Sequence, residues 1–172
     1  MRVAGLVQDS IVDGPGLRFV VFTQGCRFRC EGCHNPDTWD KNSGFEMQTD
    51  DIISEMHSNK LTDGLTLSGG EPFDQAADCI SLAAAARSQG LNIWIFTGNS
   101  IEELLENGKC NSEIFELLRL TDVLVDGRFI LGKRTLSRKW CGSENKRVLD
   151  VQKSLAAGKE VNYVPHKSKR PL

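Results

Sequence analysis

Residues 65–90 read LTLSGGEPFDQAADCISLAAAARSQG, and the order of residue types within them decides the fold class. Leu65 to Ser68 is a short apolar run. Gly69-Gly70-Glu71-Pro72 is a concentrated turn signal, and Ala76 to Ser88 is an alanine-rich helix former closed by Gly90. The unit is therefore strand, glycine turn, helix. It recurs where Leu91 to Phe96 runs into Thr97-Gly98-Asn99 and a helix near Ile101 to Glu106, and again where Val123 to Val125 runs into Asp126-Gly127-Arg128-Phe129. Strands alternating with helices predict a parallel sheet with right-handed crossovers, and in such sheets ligands sit beyond the strand C-termini. A closed eight-unit barrel takes about 250 residues. A chain of 172 residues has room for a partial, open (β/α) barrel of about five or six units.

Upstream, Leu17 to Thr23 (LRFVVFT) has the β-branched and aromatic content of a strand covered on both faces. It leads into Gln24 to Trp39, QGCRFRCEGCHNPDTW, which places Cys26, Cys30 and Cys33 in a CxxxCxxC spacing. Three thiolates at these intervals, with Gly25 and Gly32 to let the backbone turn, suit three irons of a cubane [4Fe–4S] cluster. One iron then has no protein ligand and keeps a coordination position open to a small molecule, whereas a four-cysteine cluster is closed and only passes electrons. Two plainer readings compete. One is a zinc knot completed by His34, but adjacent ligands such as Cys33 and His34 rarely reach one tetrahedral centre, and structural zinc usually takes two separated pairs. The other is a set of unligated thiols. Asp13-Gly14-Pro15-Gly16 ahead of the strand is a turn signal or a substrate contact, and Thr49-Asp50-Asp51 offers a helix N-cap with acids in the first turn.

Composition narrows the function classes. The net charge is −2 with both signs interspersed, and 40% of residues are hydrophobic. This predicts one domain over residues 1–172, its core spanning about 13–151, with no global basic field for nucleic acid or a membrane surface. No window approaches the ~20 apolar residues of a membrane span. Six cysteines behind a start with no apolar leader point to a reducing, cytoplasmic compartment. Arg147 to Val151 and Val161 to Val164 read as further strands, and residues 165–172 as a solvated basic tail.

Together, CxxxCxxC, the Gly69-Gly70-Glu71 turn, the Asp13-Gly14-Pro15-Gly16 turn and the half-barrel pattern resemble the radical S-adenosylmethionine (SAM) enzymes, and more narrowly the activating enzymes of glycyl radical proteins. Within that family, Cys33-His34-Asn35 with Trp39, Val125-Asp126-Gly127-Arg128-Phe129, and Gly142-Ser143 with Asn145 and Arg147-Val148 look like the activases of anaerobic (class III) ribonucleoside-triphosphate reductase. The resemblance implies that SAM chelates the open iron. One electron from a low-potential donor such as flavodoxin or ferredoxin then cleaves it to methionine and a 5′-deoxyadenosyl radical, which takes a Cα hydrogen from a glycine of the partner reductase.

The same resemblance implies roles for particular residues. Cys26, Cys30 and Cys33 hold the cluster and act through it. Gly32 and His34 flank the third ligand beside the cofactor, Gly32 falling where many radical SAM proteins carry an adenine-contacting side chain. Gly69 and Gly70 let the backbone approach the methionyl group, and Glu71 pairs with its ammonium or braces the turn. Thr97 and Asn99 bond the SAM ribose or carboxylate, or cap their turn. Asp126 and Arg128 meet the SAM carboxylate or an incoming peptide, or form a strand-end ion pair. Gly16 to Arg18 and Lys133 to Lys139, with Trp140, are docking surfaces or merely solvated. Cys79 and Cys110 are expected in the core or at its margin, and Cys141 has basic neighbours in Arg138, Lys139 and Lys146 that lower a thiol pKa if they surround it. A small-molecule radical SAM enzyme of the 7-carboxy-7-deazaguanine synthase kind, and a cluster electron carrier, are the alternatives.

Overall fold

The computed structural model describes residues 1–165. In chain order its elements are β1 (Arg2–Ser10), β2 (Arg18–Thr23), β3 (Phe45–Glu46), α1 (Thr49–Ser58), β4 (Gly64–Gly69), α2 (Ala76–Ser88) and β5 (Asn92–Phe96). Then follow α3 (Ile101–Gly108), α4 (Ser112–Leu120), β6 (Val123–Asp126), β7 (Arg147–Asp150) and α5 (Val151–Ala157). The strands make one sheet in the order β3-β1-β2-β4-β5-β6-β7. β2, β4, β5 and β6 are parallel, while β1 on β2, β3 on β1 and β7 on β6 are antiparallel. The open α/β half-barrel is the expected class. Its parallel part holds four strands, because the chain returns antiparallel at both edges, where no crossover helix is needed.

Alternate side chains of a strand face opposite ways, and here the two faces differ. Phe19, Val21, Leu65, Leu67, Ile93, Ile95 and Leu124 join a buried cluster with Ile52 of α1, Leu82 of α2, Leu104 of α3, Leu117 of α4 and Val151 of α5. All five α-helices of the described residues thus lie on one face. Small residues bring α2 against the sheet, since Ala83 and Ala86 are fully buried. On the other face Trp94, Val123, Val125 and Cys141 cluster, and Trp140 and Tyr163 meet the Trp94 ring edge-on at 4.8 and 5.2 Å between centroids.

Arg18 also points to that face, fully buried, so it is no docking residue. Its guanidinium donates to Thr66 Oγ1 (3.0 Å), Asn92 Oδ1 (2.5 Å) and Leu65 O (2.5 Å) and lies over Trp94. Burial brings its pKa down to about 10. A Cβ on Gly64 would stand 2.1 Å from Arg18 Nη1, so the glycine makes room for the cation.

Three local expectations are corrected. α1 is preceded by Gln48 without a side-chain cap, and Thr49 Oγ1 instead donates to Asp78 Oδ1 (3.2 Å). Val161 to Val164 forms no strand; one bridge joins Asn162 to Leu149. Cys110 is exposed. The expected tail lies, from residue 166 on, outside the described residues.

Candidate active site

The cysteine loop leaves the C-terminal end of β2 and is folded back on itself. Gly25 N–H donates to Thr38 O (2.8 Å), Cys26 N–H to Trp39 O (3.1 Å), and the Gln24 side chain to Asp37 O and Asp40 O. The neighbouring end of β4 is sewn to it: Gly70 N–H donates to Thr23 O (2.7 Å) and Glu71 N–H to Gly25 O (2.8 Å). This is why two glycines stand here. A Cβ on Gly70 would lie 2.1 Å from Gly25 O, and one on Gly69, at φ +92°, 2.6 Å from Thr23 N.

Cys26, Cys30 and Cys33 are free, half-buried thiols. All three line a single cavity of about 250 Å³, together with Gly69 and Gly70 from the end of β4 and Thr97 from the end of β5. Among the described residues no three His, Cys, Asp or Glu side chains gather tightly enough to hold a single metal ion. The thiols are instead spread along the wall of one cavity, the arrangement that a multi-iron cluster, with each sulfur on a different iron, asks for. Two sulfurs are met by backbone N–H groups, Cys33 by Asn35 (3.4 Å) and Cys26 by Phe28 and Arg29. Such N–H groups stabilise thiolate ligands. Burial nevertheless pushes the Cys26 thiol above its ordinary value, with Glu71 and Cys30 adding to the shift. The donor set fits a [4Fe–4S] cluster.

The remaining expected residues divide into wall and support. His34 and Thr97 line the cavity; Gly32, Glu71, Asn99, Asp126 and Arg128 do not. Gly32, at φ +71°, packs toward Leu131, whose Cδ1 a Cβ would meet at 2.7 Å. Glu71 is fully buried and braces two turns at once, accepting from Thr97 Oγ1 (2.8 Å), Gly98 N (2.9 Å) and Phe73 N (3.1 Å). Burial holds its carboxyl above the usual range against those donors. The Thr97 hydroxyl, so engaged, also accepts from Asn99 N (3.0 Å), and Asn99 Oδ1 accepts from Arg27 (2.6 Å).

Asp126 and Arg128 do not pair with each other. Asp126 is 1% exposed, accepts from Ile101 N at the start of α3 (2.9 Å) and takes both Nε (3.0 Å) and Nη2 (2.5 Å) of Arg147. Arg128 lies outside, 3.5 Å from Glu103 and 4.9 Å from the Phe28 ring centre.

Lys146 was not among the expected site residues, yet it lines the cavity, its Nζ donating to Thr97 O (3.3 Å). Burial lowers its pKa. The β6–β7 register, Asp126 opposite Arg147, carries it there, and a sequence without that pairing gives no sign of it. Phe28 is a second addition: it lines the cavity, stacked by Arg27 at 4.7 Å and packed on Gly98, where a Cβ would come within 2.4 Å of the ring. Cys141 is buried, and burial raises its thiol pKa more than Arg138 and Lys146 lower it. Cys79 is likewise buried and raised.

Comparison with known proteins accords with this geometry. A family model described as a 4Fe-4S single cluster domain matches residues 12–149. The anaerobic ribonucleoside-triphosphate reductase-activating protein of Escherichia coli (strain K12) is 35% identical over 147 residues, covering 81% of this chain and 92% of the relative. The chain belongs to the family of these activating proteins. The relative of that name from Enterobacteria phage T4 is 35% identical over 145 residues, covering 81% and 87%. Family likeness extends to the pyruvate formate-lyase 1-activating enzyme of E. coli K12, 34% identical over 161 residues, covering 90% of this chain and 62% of the relative. The matched span takes in the cysteine loop, the Gly69-Gly70-Glu71 turn and the Asp126–Arg147 pairing. Among the described residues no helix is long and apolar enough to cross a membrane.

Proposed function

We propose that this protein activates an anaerobic ribonucleoside-triphosphate reductase by making a glycyl radical on it, using SAM at a [4Fe–4S] cluster. The observation that carries the reading is the single cavity in which three half-buried cysteine thiols stand beside glycine backbone at the ends of adjacent parallel strands. A [4Fe–4S] cluster held by Cys26, Cys30 and Cys33, with SAM at its open position and a low-potential carrier such as a flavodoxin or ferredoxin as electron donor, would supply one-electron reductive cleavage of the sulfonium, so that the adenosyl group could take the glycine Cα hydrogen and leave as 5′-deoxyadenosine beside methionine.

The chain's own residues do the positioning. Cys26, Cys30 and Cys33 hold the cluster and leave one iron to the cofactor. Gly69 and Gly70 present backbone to the cavity, since a Cβ at either would meet the Phe22–Gly25 backbone. Glu71, through Thr97 and Gly98, fixes the β5 turn against the β4 turn, so the wall beside the thiols keeps its shape. A polypeptide loop would enter from the face of the sheet that carries no α-helix among the described residues, and a reactive primary radical demands that the correct C–H be the one held within reach.

Anaerobically reconstituted protein is expected to hold one [4Fe–4S] cluster per chain, read by iron and sulfide content and absorbance. Alanine at Cys26, Cys30 or Cys33 should abolish it, while Cys79→Ala, Cys110→Ala and Cys141→Ala should not. Reduced protein with SAM and the reductase should form 5′-deoxyadenosine that carries deuterium from a deuterated partner glycine. Stoichiometric zinc without iron, or deoxyadenosine without a radical on the partner, overturns the reading.

A further inference from the structure

Cys26 and Trp39 line two spaces at once. One is the cysteine cavity; the other is a separate hollow of about 500 Å³ that neither Gly69 and Gly70 nor Thr97 lines. The loop between Cys26 and Cys30 is divided between them: Phe28 lines the cavity, whereas Arg27 and Arg29 line the hollow. The cysteine loop is therefore a wall with two sides. Cys30 and Cys33 line the cavity but not the hollow, so Cys26 is the thiol that both spaces reach.

In a chain of net charge −2, the hollow has an excess of positive charge: Arg2, Arg27, Arg29 and Lys41 line it against Asp40 and Asp74. Arg27 is paired with Asp74, and Asp40 accepts from Asn42 N–H (2.9 Å) and the Ser43 hydroxyl (3.4 Å). Among the described residues no carboxylate stands within 4.0 Å of Arg2, Arg29 or Lys41. Arg29 and Lys41 are exposed. Arg29 also holds a left-handed backbone, φ +45°, which costs a residue other than glycine some strain, and its N–H meets the Cys26 sulfur.

We propose that this hollow is the docking site of the electron donor, a one-electron carrier protein with an acidic surface around its redox centre. The inference rests on the reading of Cys26, Cys30 and Cys33 as cluster ligands. The carrier is oxidised by one electron and the cluster reduced by one, with no atom transferred. Such transfer slows steeply with distance, so the carrier must come to a surface that a ligating sulfur reaches. The cavity is needed for SAM and the partner's glycine loop; the hollow reaches Cys26 from a separate side, so carrier and reductase can address one cluster without excluding each other. Redox encounters bury little area and depend on charge steering, which cations without a carboxylate partner supply.

The test mixes cluster-loaded protein anaerobically with a reduced acidic flavodoxin and follows the flavin and cluster absorbances. Photoreduced deazaflavin, a small donor without net charge, is the control, and iron content checks that each variant keeps its cluster. The wild-type rate with flavodoxin should fall steeply with salt. Lys41→Glu should slow it about 10-fold or more at low salt, flatten its salt dependence and leave reduction by deazaflavin unchanged. Arg29→Gln, which keeps the backbone N–H, should act in the same direction. Lys133→Glu, on the basic segment beyond β6, should react like wild type, and excess reductase should not compete with flavodoxin. A flavodoxin rate indifferent to salt or to Lys41→Glu, a comparable loss in Lys133→Glu, or competition by the reductase overturns the assignment. If wild-type protein takes up no cluster, or deazaflavin cannot reduce it, the cluster reading itself falls, and the two failures are thereby told apart.

Discussion

The ends of β4 and β6 are written alike, each a buried strand closing on glycine and charge: Gly69-Gly70-Glu71 in one, Asp126-Gly127-Arg128 in the other. The fold uses them in opposite ways. At β4 the glycines are demanded by close approach, with Gly25 O 2.1 Å from where a Gly70 Cβ would stand, and the backbone itself becomes cavity wall. At β6 the nearest atom to a Gly127 Cβ is 3.7 Å away, and what demands glycine there is φ +93°. The buried acids divide likewise. Glu71 takes neutral donors and holds one turn of the cavity to the next, whereas Asp126 takes a guanidinium and ties β6 to β7 and α3. What the comparison teaches is that an acid at a strand end supports a site when its partners are the neighbouring turns, and supports an edge when its partner is a distant cation.

The sharpest way to break that contrast is Gly70→Ala. Its Cβ meets backbone, which cannot swing aside, so the cost should reach or exceed the upper end of the ~1–3 kcal/mol range for overpacking. The cysteine loop should shift with it and iron incorporation fail. Gly127→Ala should cost about 1–2 kcal/mol for the left-handed backbone and keep its cluster. Equal cluster loss in both variants would erase the distinction.

Next in size is Arg147→Met, which leaves the Asp126 carboxylate buried without its cation. Breaking such a pair costs about 3–5 kcal/mol. Since Arg147 is itself 32% exposed, we expect the lower part of that range in denaturant unfolding. Iron content of the folded protein should be unchanged. A cluster defect here would place Asp126 in the site after all.

The smallest expected effect is that of Glu102→Gln, which keeps the Asp126–Arg147 pair and removes the outer acid. The Arg147 hydrogen bonds hold the Glu102 carboxyl well below its ordinary value, to about 2. An acid with a depressed folded-state pKa contributes stability above its unfolded value and loses it as pH falls through the folded one. The wild type should therefore exceed the variant in melting temperature at neutral pH, and the gap should close between about pH 4.5 and 2. Because Glu102 is 55% exposed, the difference should stay below about 1 kcal/mol and shrink in salt. A gap that persists at pH 2 would assign the effect to packing.

Much of this protein was legible in the chain alone. CxxxCxxC predicted three thiols on one cavity because such residues within one short loop need no distant partner to meet, as they do here, and the strand–glycine–helix unit at Leu65 to Ser88 predicted the class of sheet because its periodicities are local. Direction of pairing was not local. That β1 and β7 run antiparallel, so that the parallel part stops at four strands, depends on which edge each segment finds. The same holds for the charges. Sequence placed Glu71, Asp126, Arg128 and Arg18 near strand ends but left their partners open, since each partner lies many residues away and is chosen by register. The pairing of Asp126 with Arg147 brought Lys146 into the cavity, and side-chain packing sent Arg128 out of it.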